Sequence, residues 1–94
     1  MRPCATQDPW GRRVVLTSGR WMHVIEEHPQ MLELMDDVLR VVRRPDVITP
    51  DPKRGRWRYW RSAVGPSRWL FVVVMWDTDQ PKVVTAYPKR KDPL

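Results

Sequence analysis

The residue types best suited to chemistry are the two histidines, His23 and His28, in the stretch 20–29 that also holds Glu26 and Glu27. Imidazole accepts and donates protons near neutral pH, which suits general acid–base catalysis. The histidines are five residues apart, whereas a two-histidine metal site on one helix face uses i and i+4. The spacing therefore favours proton transfer over metal binding. Structurally, His23 could simply pair with Glu27 one turn on, and His28 could end a helix.

A second candidate is the basic segment 53–61, K-R-G-R-W-R-Y-W-R, which interleaves cations with aromatic rings. In a strand, Arg56, Arg58 and Trp60 share one face, while Trp57, Tyr59 and Arg61 share the other. Cations beside aromatic rings hold phosphates and stack bases. The predicted nucleic-acid contacts are Lys53, Arg54, Arg56, Trp57, Tyr59 and Trp60. A half-buried strand with aromatics in the core and arginines reaching water explains some of them equally well.

The last apolar segment adds Thr85 and Tyr87, which point the same way in a strand. Val84 and Ala86 then point the opposite way, where they suit packing under helices. This arrangement predicts a hydroxyl and a phenol on an open face, able to donate hydrogen bonds to a phosphate. The β-propensity of Thr and Tyr also accounts for their presence.

Composition points to a polyanionic partner. In 94 residues, 17 Lys and Arg oppose 11 Asp and Glu, which leaves a net charge of +6, and 13 of the 17 cations are arginine. Arginine offers a planar fork of donors that matches phosphate geometry, and nucleic acid is the first candidate partner. The alternative explanation is that the high arginine content has no role in function.

Several classes of protein are disfavoured. Cys4 is the only cysteine, which excludes an internal disulfide framework and a multi-cysteine zinc site. The chain lacks a glycine-rich phosphate loop, G-x-S-x-G and H-E-x-x-H, which disfavours an NTPase, a dehydrogenase and a serine hydrolase. No apolar run is long enough to span a membrane and the first residues do not resemble a secretion signal. We expect a cytoplasmic protein.

The elements predicted to position these residues form one domain. Residues 1–12 are expected to be an irregular lead-in, and 13–17 a short edge strand. A helix over 19–27 with Ser18 as its N-cap precedes a second, amphipathic helix that starts at Pro29 and ends at Pro45. An extended piece at Val47 and Ile48 precedes strands over 56–64, 69–76 and 82–87, a turn at 65–67 and a basic tail over 88–94. The predicted fold is α+β, with two N-terminal helices packed on one face of a curved antiparallel sheet of about four strands, the last three in a meander.

The order of these motifs resembles a known group of nuclease domains. W-M-H-V at 21–24, H-P-Q at 28–30, P-D-V-I at 45–48, R-Y-W at 58–60, V-V-V at 72–74 and V-T-A-Y at 84–87 are similar to the small phage- and toxin-associated branch of the barnase–EndoU–colicin–RelE-like domains. The resemblance covers about residues 20–87. Gln30 stands where an acid is usual, and Val24 where isoleucine is commoner.

The resemblance implies a ribonuclease that uses neither a metal nor another cofactor, in which the RNA 2′-hydroxyl attacks its own phosphate. It implies His23 as general base or acid, with His28 as its counterpart. Arg58 and Arg61 would clamp the phosphate, although a regular strand puts them on opposite faces. Thr85 and Tyr87 would donate hydrogen bonds at the scissile phosphate.

The implied partners are RNA, either tRNA or mRNA, and an acidic antitoxin or immunity protein. Two other functions fit the same residues. One is a nucleic-acid-binding module without catalysis, and the other is an interaction module for an acidic protein.

Overall fold

The computed structural model describes residues 4–62 and 68–93 as two helices packed on a six-stranded mixed sheet. The sheet has the strand order β1-β2-β6-β5-β4-β3. In chain order the elements are β1 (Cys4–Gln7), β2 (Arg13–Leu16), α1 (Ser18–Glu27), a 3₁₀ turn (Pro29–Met31), α2 (Met35–Arg43), β3 (Val47–Pro50), β4 (Arg56–Ser62), β5 (Trp69–Met75) and β6 (Lys82–Lys89). Within the described ranges, no helix is long and apolar enough to cross a membrane.

The prediction of about four antiparallel strands behind two N-terminal helices was wrong. Two strands precede the helices, because residues 4–7 of the expected lead-in form β1 and pair antiparallel with β2. A tight turn joins them, in which the Gly11 N–H donates to the Asp8 carbonyl at 2.9 Å and Gly11 adopts a φ of 80°. Pro3 and Pro9 lie on either side of β1 in the sequence. Because proline disfavours strands, these residues were not predicted to form one.

The sheet is mixed because β6 returns beside β2 in the parallel sense. Val15 is in register with Lys82, and the Val15 N–H donates to the Pro81 carbonyl at 3.0 Å. Residues 13–17 were expected to form an edge strand, but β2 lies between β1 and β6. Nothing local to β2 specifies this parallel neighbour, since the two strands are separated by most of the chain.

The first helix, α1, matches its predicted position to within one residue. Thr17, not Ser18, is the N-cap, and its hydroxyl accepts from the Arg20 N–H at 3.2 Å. Trp21 and Val24 are buried on the inner side of the helix. The helix ends at His28, as the proline after it requires.

The second helix, α2, begins later than predicted. Pro29 starts only a 3₁₀ turn, and Leu34 has the non-helical dihedrals φ −108° and ψ 16° ahead of Met35. Val38, Val41 and Val42 form the buried stripe, with acids in the first turn and arginines in the last, as the helix dipole favours. A proline in the first turn, here Pro29, is compatible with an α-helix and with a 3₁₀ turn. The sequence therefore could not show which of the two begins at Pro29.

The predicted antiparallel meander is confirmed for β4, β5 and β6. β5 is central, and its buried run includes Leu70, Phe71, Val72 and Val74. The predicted turn at 65–67 and the end of the strand predicted over 56–64 lie outside the described residues. β6 continues beyond residue 87 to Lys89, so the basic tail begins later than expected.

A bulge in β6 modifies the predicted alternation of its side chains. Val73 pairs with Thr85, whereas the next residue, Val74, pairs with Val83, which leaves Val84 as the extra residue. Val83 and Ala86 face the helices. The prediction that Val84 packs under the helices was wrong, because Val84 joins Thr85 and Tyr87 on the other side.

Most of the core lies between the helices and one face of the sheet. Its helical members include Trp21, Val24, Val38 and Val42, against strand residues such as Leu70 and Val72. The opposite face, here called the open face, carries a smaller cluster centred on Trp60, Phe71 and Val73. The open face is therefore partly apolar, although its cluster includes no residue of the two helices that the described ranges contain.

Candidate active site

The open face carries a cleft between the β3–β4 loop and strands β4, β5 and β6. It has a volume of about 270 Å³ and combines three cations, two aromatic rings and two hydroxyls. We call it the open-face cleft, and it is lined by Asp51, Pro52, Lys53, Arg56, Arg58, Phe71, Val73, Thr85 and Tyr87. These groups can bind a phosphate and contact a base or a sugar.

Strand register brings the central residues of the cleft into one row. Arg58 pairs with Val73, and Val73 pairs with Thr85, so the row crosses β4, β5 and β6. Because neighbouring strands lie about 5 Å apart, Arg58 and Thr85 are separated at the backbone by about 10 Å. Arg58, Thr85 and Tyr87 all line the cleft together with Val73, which supports the predicted grouping of these residues.

Arg58 is held by an acid that the sequence analysis did not single out. Its Nε donates to Asp51 Oδ1 at 2.8 Å, and its guanidinium carbon lies 5.1 Å from the Phe71 ring centroid. The ion pair uses Nε, so the terminal guanidinium nitrogens can still donate to a bound anion. The indication in the sequence was weak: Asp51 and Arg58 flank the loop of one β-hairpin, seven residues apart.

The carboxyl of Asp51 is stabilised in its charged form. Burial by itself raises its pKa, but the hydrogen bonds from the Arg58 side chain and the Lys53 N–H, together with the Arg58 and Arg56 charges, hold the pKa below its usual range. Asp51 therefore remains a carboxylate at neutral pH. It lowers the net positive charge of the cleft and fixes the orientation of Arg58.

Thr85 has an unsatisfied hydroxyl in this cleft. Its Oγ1 is buried and has no hydrogen-bond partner in the part of the chain that the structure describes. A buried polar atom without a partner costs about 1–3 kcal/mol. Such an atom in the wall of a cleft is a candidate contact for a polar ligand.

His28 reaches this side of the sheet from the end of α1. Its imidazole stacks on the Tyr87 ring, with the centroids 4.7 Å apart and the planes at 24°. Pro29 makes this possible, because it forces His28 out of the helix to φ −134° and ψ 78°. The Tyr87 ring also contacts Phe71 edge-on at 4.5 Å, so His28 contacts one of the rings that line the open-face cleft without belonging to the lining itself.

His23 is placed differently. Its Nε2 lies 3.0 Å from Glu27 Oε1, one turn along α1, and its side chain is half-exposed. None of its contacts among the described residues joins it to the cleft lining. The resemblance implies His23 as general base or acid with His28 as its counterpart, and in the sequence His28 follows Trp21, Val24 and Ile25 on the apolar side of the helix. The same position and the helix break are what bring His28 to Tyr87.

Three other predicted residues lie on the helix-covered face. Arg61 donates from a terminal nitrogen to the Arg44 carbonyl at the end of α2, so it stabilises a helix end and is separated from the cleft. Trp57 stacks on Trp76. Tyr59 is fully buried, and its hydroxyl donates to Asp8 Oδ2 at 3.1 Å. Strand alternation, already evident in the sequence, is the reason for this separation.

The remaining predicted contacts differ in accessibility. Lys53 and Arg56 line the open-face cleft, and Arg54 is exposed in the same loop. Trp60 is buried on the open face, where its Nε1 donates to Thr49 Oγ1 at 2.9 Å. Trp60 therefore supports the cleft through its contact with Phe71 at 4.8 Å, and does not present a free ring.

Across residues 4–62 and 68–93, no group of three or more His, Cys, Asp and Glu side chains is arranged to hold a metal ion. Comparisons with protein-family models, with curated proteins and with solved structures found no match. The nuclease resemblance therefore stays a prediction from motif order.

Proposed function

We propose that this protein is a metal-independent endoribonuclease of toxin or effector type. One observation carries the proposal: the imidazole of His28 stacks on Tyr87, and Tyr87 lines a cleft that also holds Arg58 and the hydroxyl of Thr85, which has no partner among the described residues. A proton-transfer group beside a phosphate-binding cleft is what cleavage by internal attack requires. His28 replaces His23 as the principal acid–base residue in this proposal.

The reaction follows from the roles of these groups. Neutral His28 accepts the proton of the RNA 2′-hydroxyl, and the 2′-oxygen forms a bond to the adjacent phosphorus. Arg58 and Arg56 stabilise the added negative charge, and the Thr85 hydroxyl donates to a non-bridging oxygen. The bond from phosphorus to the 5′-oxygen then breaks. The products are a 2′,3′-cyclic phosphate and a 5′-hydroxyl.

The departing 5′-oxygen needs a proton, and we assign its transfer to the Tyr87 hydroxyl. Tyr87 lines the cleft beside Thr85 and supports the imidazole of His28 with its ring. This assignment differs from the expectation of two catalytic histidines. It makes Tyr87 both a proton donor and a positioning residue.

Cleavage of labelled tRNA and mRNA, with and without a chelator, tests the proposal. Wild-type protein is expected to leave 2′,3′-cyclic phosphate ends, and His28→Ala to cut about 10²- to 10⁴-fold more slowly. His23→Ala is the matched control and should retain activity, because His23 pairs with Glu27 on the same helix and touches no lining residue of the cleft within the described ranges. Absence of cleavage by the wild type, or full activity in His28→Ala, would reject the proposal.

A nucleic-acid-binding module without catalysis is the second candidate. The Asp51 carboxylate on Arg58 favours it, because a clamp already paired with an acid stabilises extra charge less well. This alternative predicts that the log of the affinity falls with log salt while no product forms. Product formation that depends on His28 would exclude it.

A toxin of this type would need a neutralising partner and would act in the cytoplasm, where its RNA substrates are. With its net charge of +6, the protein would suit an acidic antitoxin or immunity protein. Co-expression with the product of a neighbouring gene, followed by purification of a complex, tests this point. An interaction module for another acidic protein would also give a complex, but without relief of toxicity.

A further inference from the structure

A second cavity lies on the helix-covered side of the sheet, at the end where β4 begins and β5 finishes. It has a volume of about 540 Å³ and exposes aromatic and aliphatic surface. We call it the tryptophan groove, after the residues that matter here: Trp10, Asp46, Ile48, Trp57 and Trp76. The function proposed above does not use it.

The groove is built on a stack of flat groups. The Arg12 guanidinium carbon lies 3.8 Å from the Trp76 ring centroid, and Trp57 stacks on Trp76 at 4.6 Å and 22°. Arg12 and Trp57 thus take up the two faces of Trp76. Trp10 meets Trp76 edge-on at 5.6 Å and is 61% exposed. Trp10 and Trp57 both line the groove, and the Arg12 guanidinium carbon also lies 5.1 Å from the Trp10 ring centroid.

A basic loop connects this groove with the open-face cleft. Lys53, Arg54 and Arg56 lie in or next to the β3–β4 loop, and Trp57 follows directly. Because successive strand residues point to opposite faces, Arg56 lines the cleft and Trp57 lines the groove. The loop is fixed at this sheet end, since the Trp76 N–H donates to the Gly55 carbonyl at 2.9 Å.

We propose that the tryptophan groove binds an unpaired nucleobase of a single-stranded RNA whose backbone crosses this basic loop. The inference rests on the proposed nucleic-acid function of the open-face cleft and assigns a second, base-binding position to the same strand. Base stacking on indole is favourable for every base. The cations of the loop neutralise the phosphates between the two positions.

Asp46 favours a base over an acidic peptide in this groove. Its carboxylate accepts from the Ser62 N–H and hydroxyl, both through Oδ2 at 2.9 Å. These hydrogen bonds, first the backbone one, keep the pKa of Asp46 below its usual range, so the group is charged. A carboxylate in the groove lining disfavours an anionic side chain or a phosphate at this position, whereas it can accept a hydrogen bond from the amino group of a base such as cytosine.

Binding of a fluorescently labelled deoxycytidine oligomer tests the proposal, because DNA lacks the 2′-hydroxyl and cannot be cleaved by the proposed reaction. Trp10→Ala and Trp10→Leu should both weaken binding about tenfold, since each removes one stacking surface. Leu32→Ala is the matched control, because Leu32 is 62% exposed and lies outside the groove. Its binding should equal that of the wild type.

Four outcomes would overturn the proposal. Unchanged binding of the oligomer by Trp10→Ala would show that no base stacks on Trp10. Wild-type binding by Trp10→Leu would show that an apolar side chain is sufficient, as it would be for a peptide ligand. If the Trp10 variants change the oligomeric state of the protein but still bind the deoxycytidine oligomer as the wild type does, the groove is a contact between copies of this chain. If the Trp10 variants lose their circular dichroism signal, they do not fold, and photo-crosslinking of an iodinated oligomer to the wild-type protein replaces them as the test. Crosslinks at residues other than Trp10 and Trp57 would contradict the proposed site.

The two proposals fail separately. If binding of the oligomer depends on Trp10 but the wild type does not cleave RNA, the base-binding proposal stands and the endoribonuclease proposal is rejected. Cleavage that depends on His28, with binding indifferent to Trp10, does the reverse.

Discussion

The imidazole of His28 and the phenol ring of Tyr87 are stacked 4.7 Å apart, although 59 positions separate them in the chain. One residue ends α1 and the other lies near the end of β6. The contact joins the helical layer to the open face, and it brings the histidine against Tyr87, a residue that lines the cationic cleft.

Replacement of Tyr87 separates its two proposed roles. Tyr87→Phe keeps the ring under His28 but removes the hydroxyl, and we expect RNA cleavage to slow by about a hundredfold. Tyr87→Leu removes the stack as well and should slow cleavage further. Rates are compared under single-turnover conditions with saturating protein. Equal rates for the two variants would mean that the stacking does not position His28.

The pair of Arg58 and Asp51 should contribute to stability as well as to binding. Arg58→Ala leaves the Asp51 carboxylate, whose side chain is 10% exposed, without its strongest donor. We expect a loss of about 1–3 kcal/mol in the free energy of unfolding, part of which returns in the double variant with Asp51→Ala. Urea denaturation measures both.

The control for that cycle is the exposed pair of Arg40 and Asp37 on α2, which are 3.8 Å apart. Arg40→Ala should cost well under about 1 kcal/mol, because an exposed ion pair is screened by water. A coupling between Arg58 and Asp51 no larger than this one would contradict the importance of the cleft pair.

Acid should destabilise the fold through Asp51 and Asp46. Hydrogen bonds lower the pKa of each carboxyl in the folded state from the ordinary 3.8, so the unfolded chain takes up protons first as the pH falls. Their contribution is complete above pH 3.8 and is lost as the pH drops through the lowered values. Urea denaturation in a series of acidic buffers should show a shallower dependence on pH in Asp51→Asn than in the wild type. An identical dependence would contradict the role of Asp51.

The buried hydroxyl of Tyr59 makes a prediction at the alkaline end. Burial, and then the charge of Asp8, raise the pKa of this phenol above its ordinary 10.0. The unfolded chain therefore ionises first, and the stability from Tyr59 is lost as the pH rises above 10.0. Tyr59→Phe should weaken this alkaline loss.

At neutral pH, Tyr59→Phe should cost about 1–3 kcal/mol, because Trp76 Nε1 loses an acceptor and Asp8 loses a donor. Tyr87→Phe removes a hydroxyl from a half-buried ring and serves as the control, with a smaller expected effect. Urea denaturation of both variants decides the point. Equal costs would show that the buried network around Asp8 adds little.

The sequence alone predicted the elements whose signals are local. The period of apolar residues located α1 and most of α2, and the proline at position 29 fixed the end of α1. One segment of alternating arginines and aromatics and two apolar runs, joined by short turns, gave the antiparallel meander. Alternation along β4 also predicted the separation of Arg58 from Arg61. These features depend on backbone geometry over a few residues, so they can be predicted from a single sequence.

Tertiary structure decided what depends on partners distant in the chain. β1 exists because β2 lies beside it, and β6 pairs with β2 only in the folded sheet. A one-residue bulge changed the face of Val84. Stacking on Tyr87 made His28, not His23, the histidine of the candidate site. Strand order and register set these contacts, and no local period of the sequence encodes them.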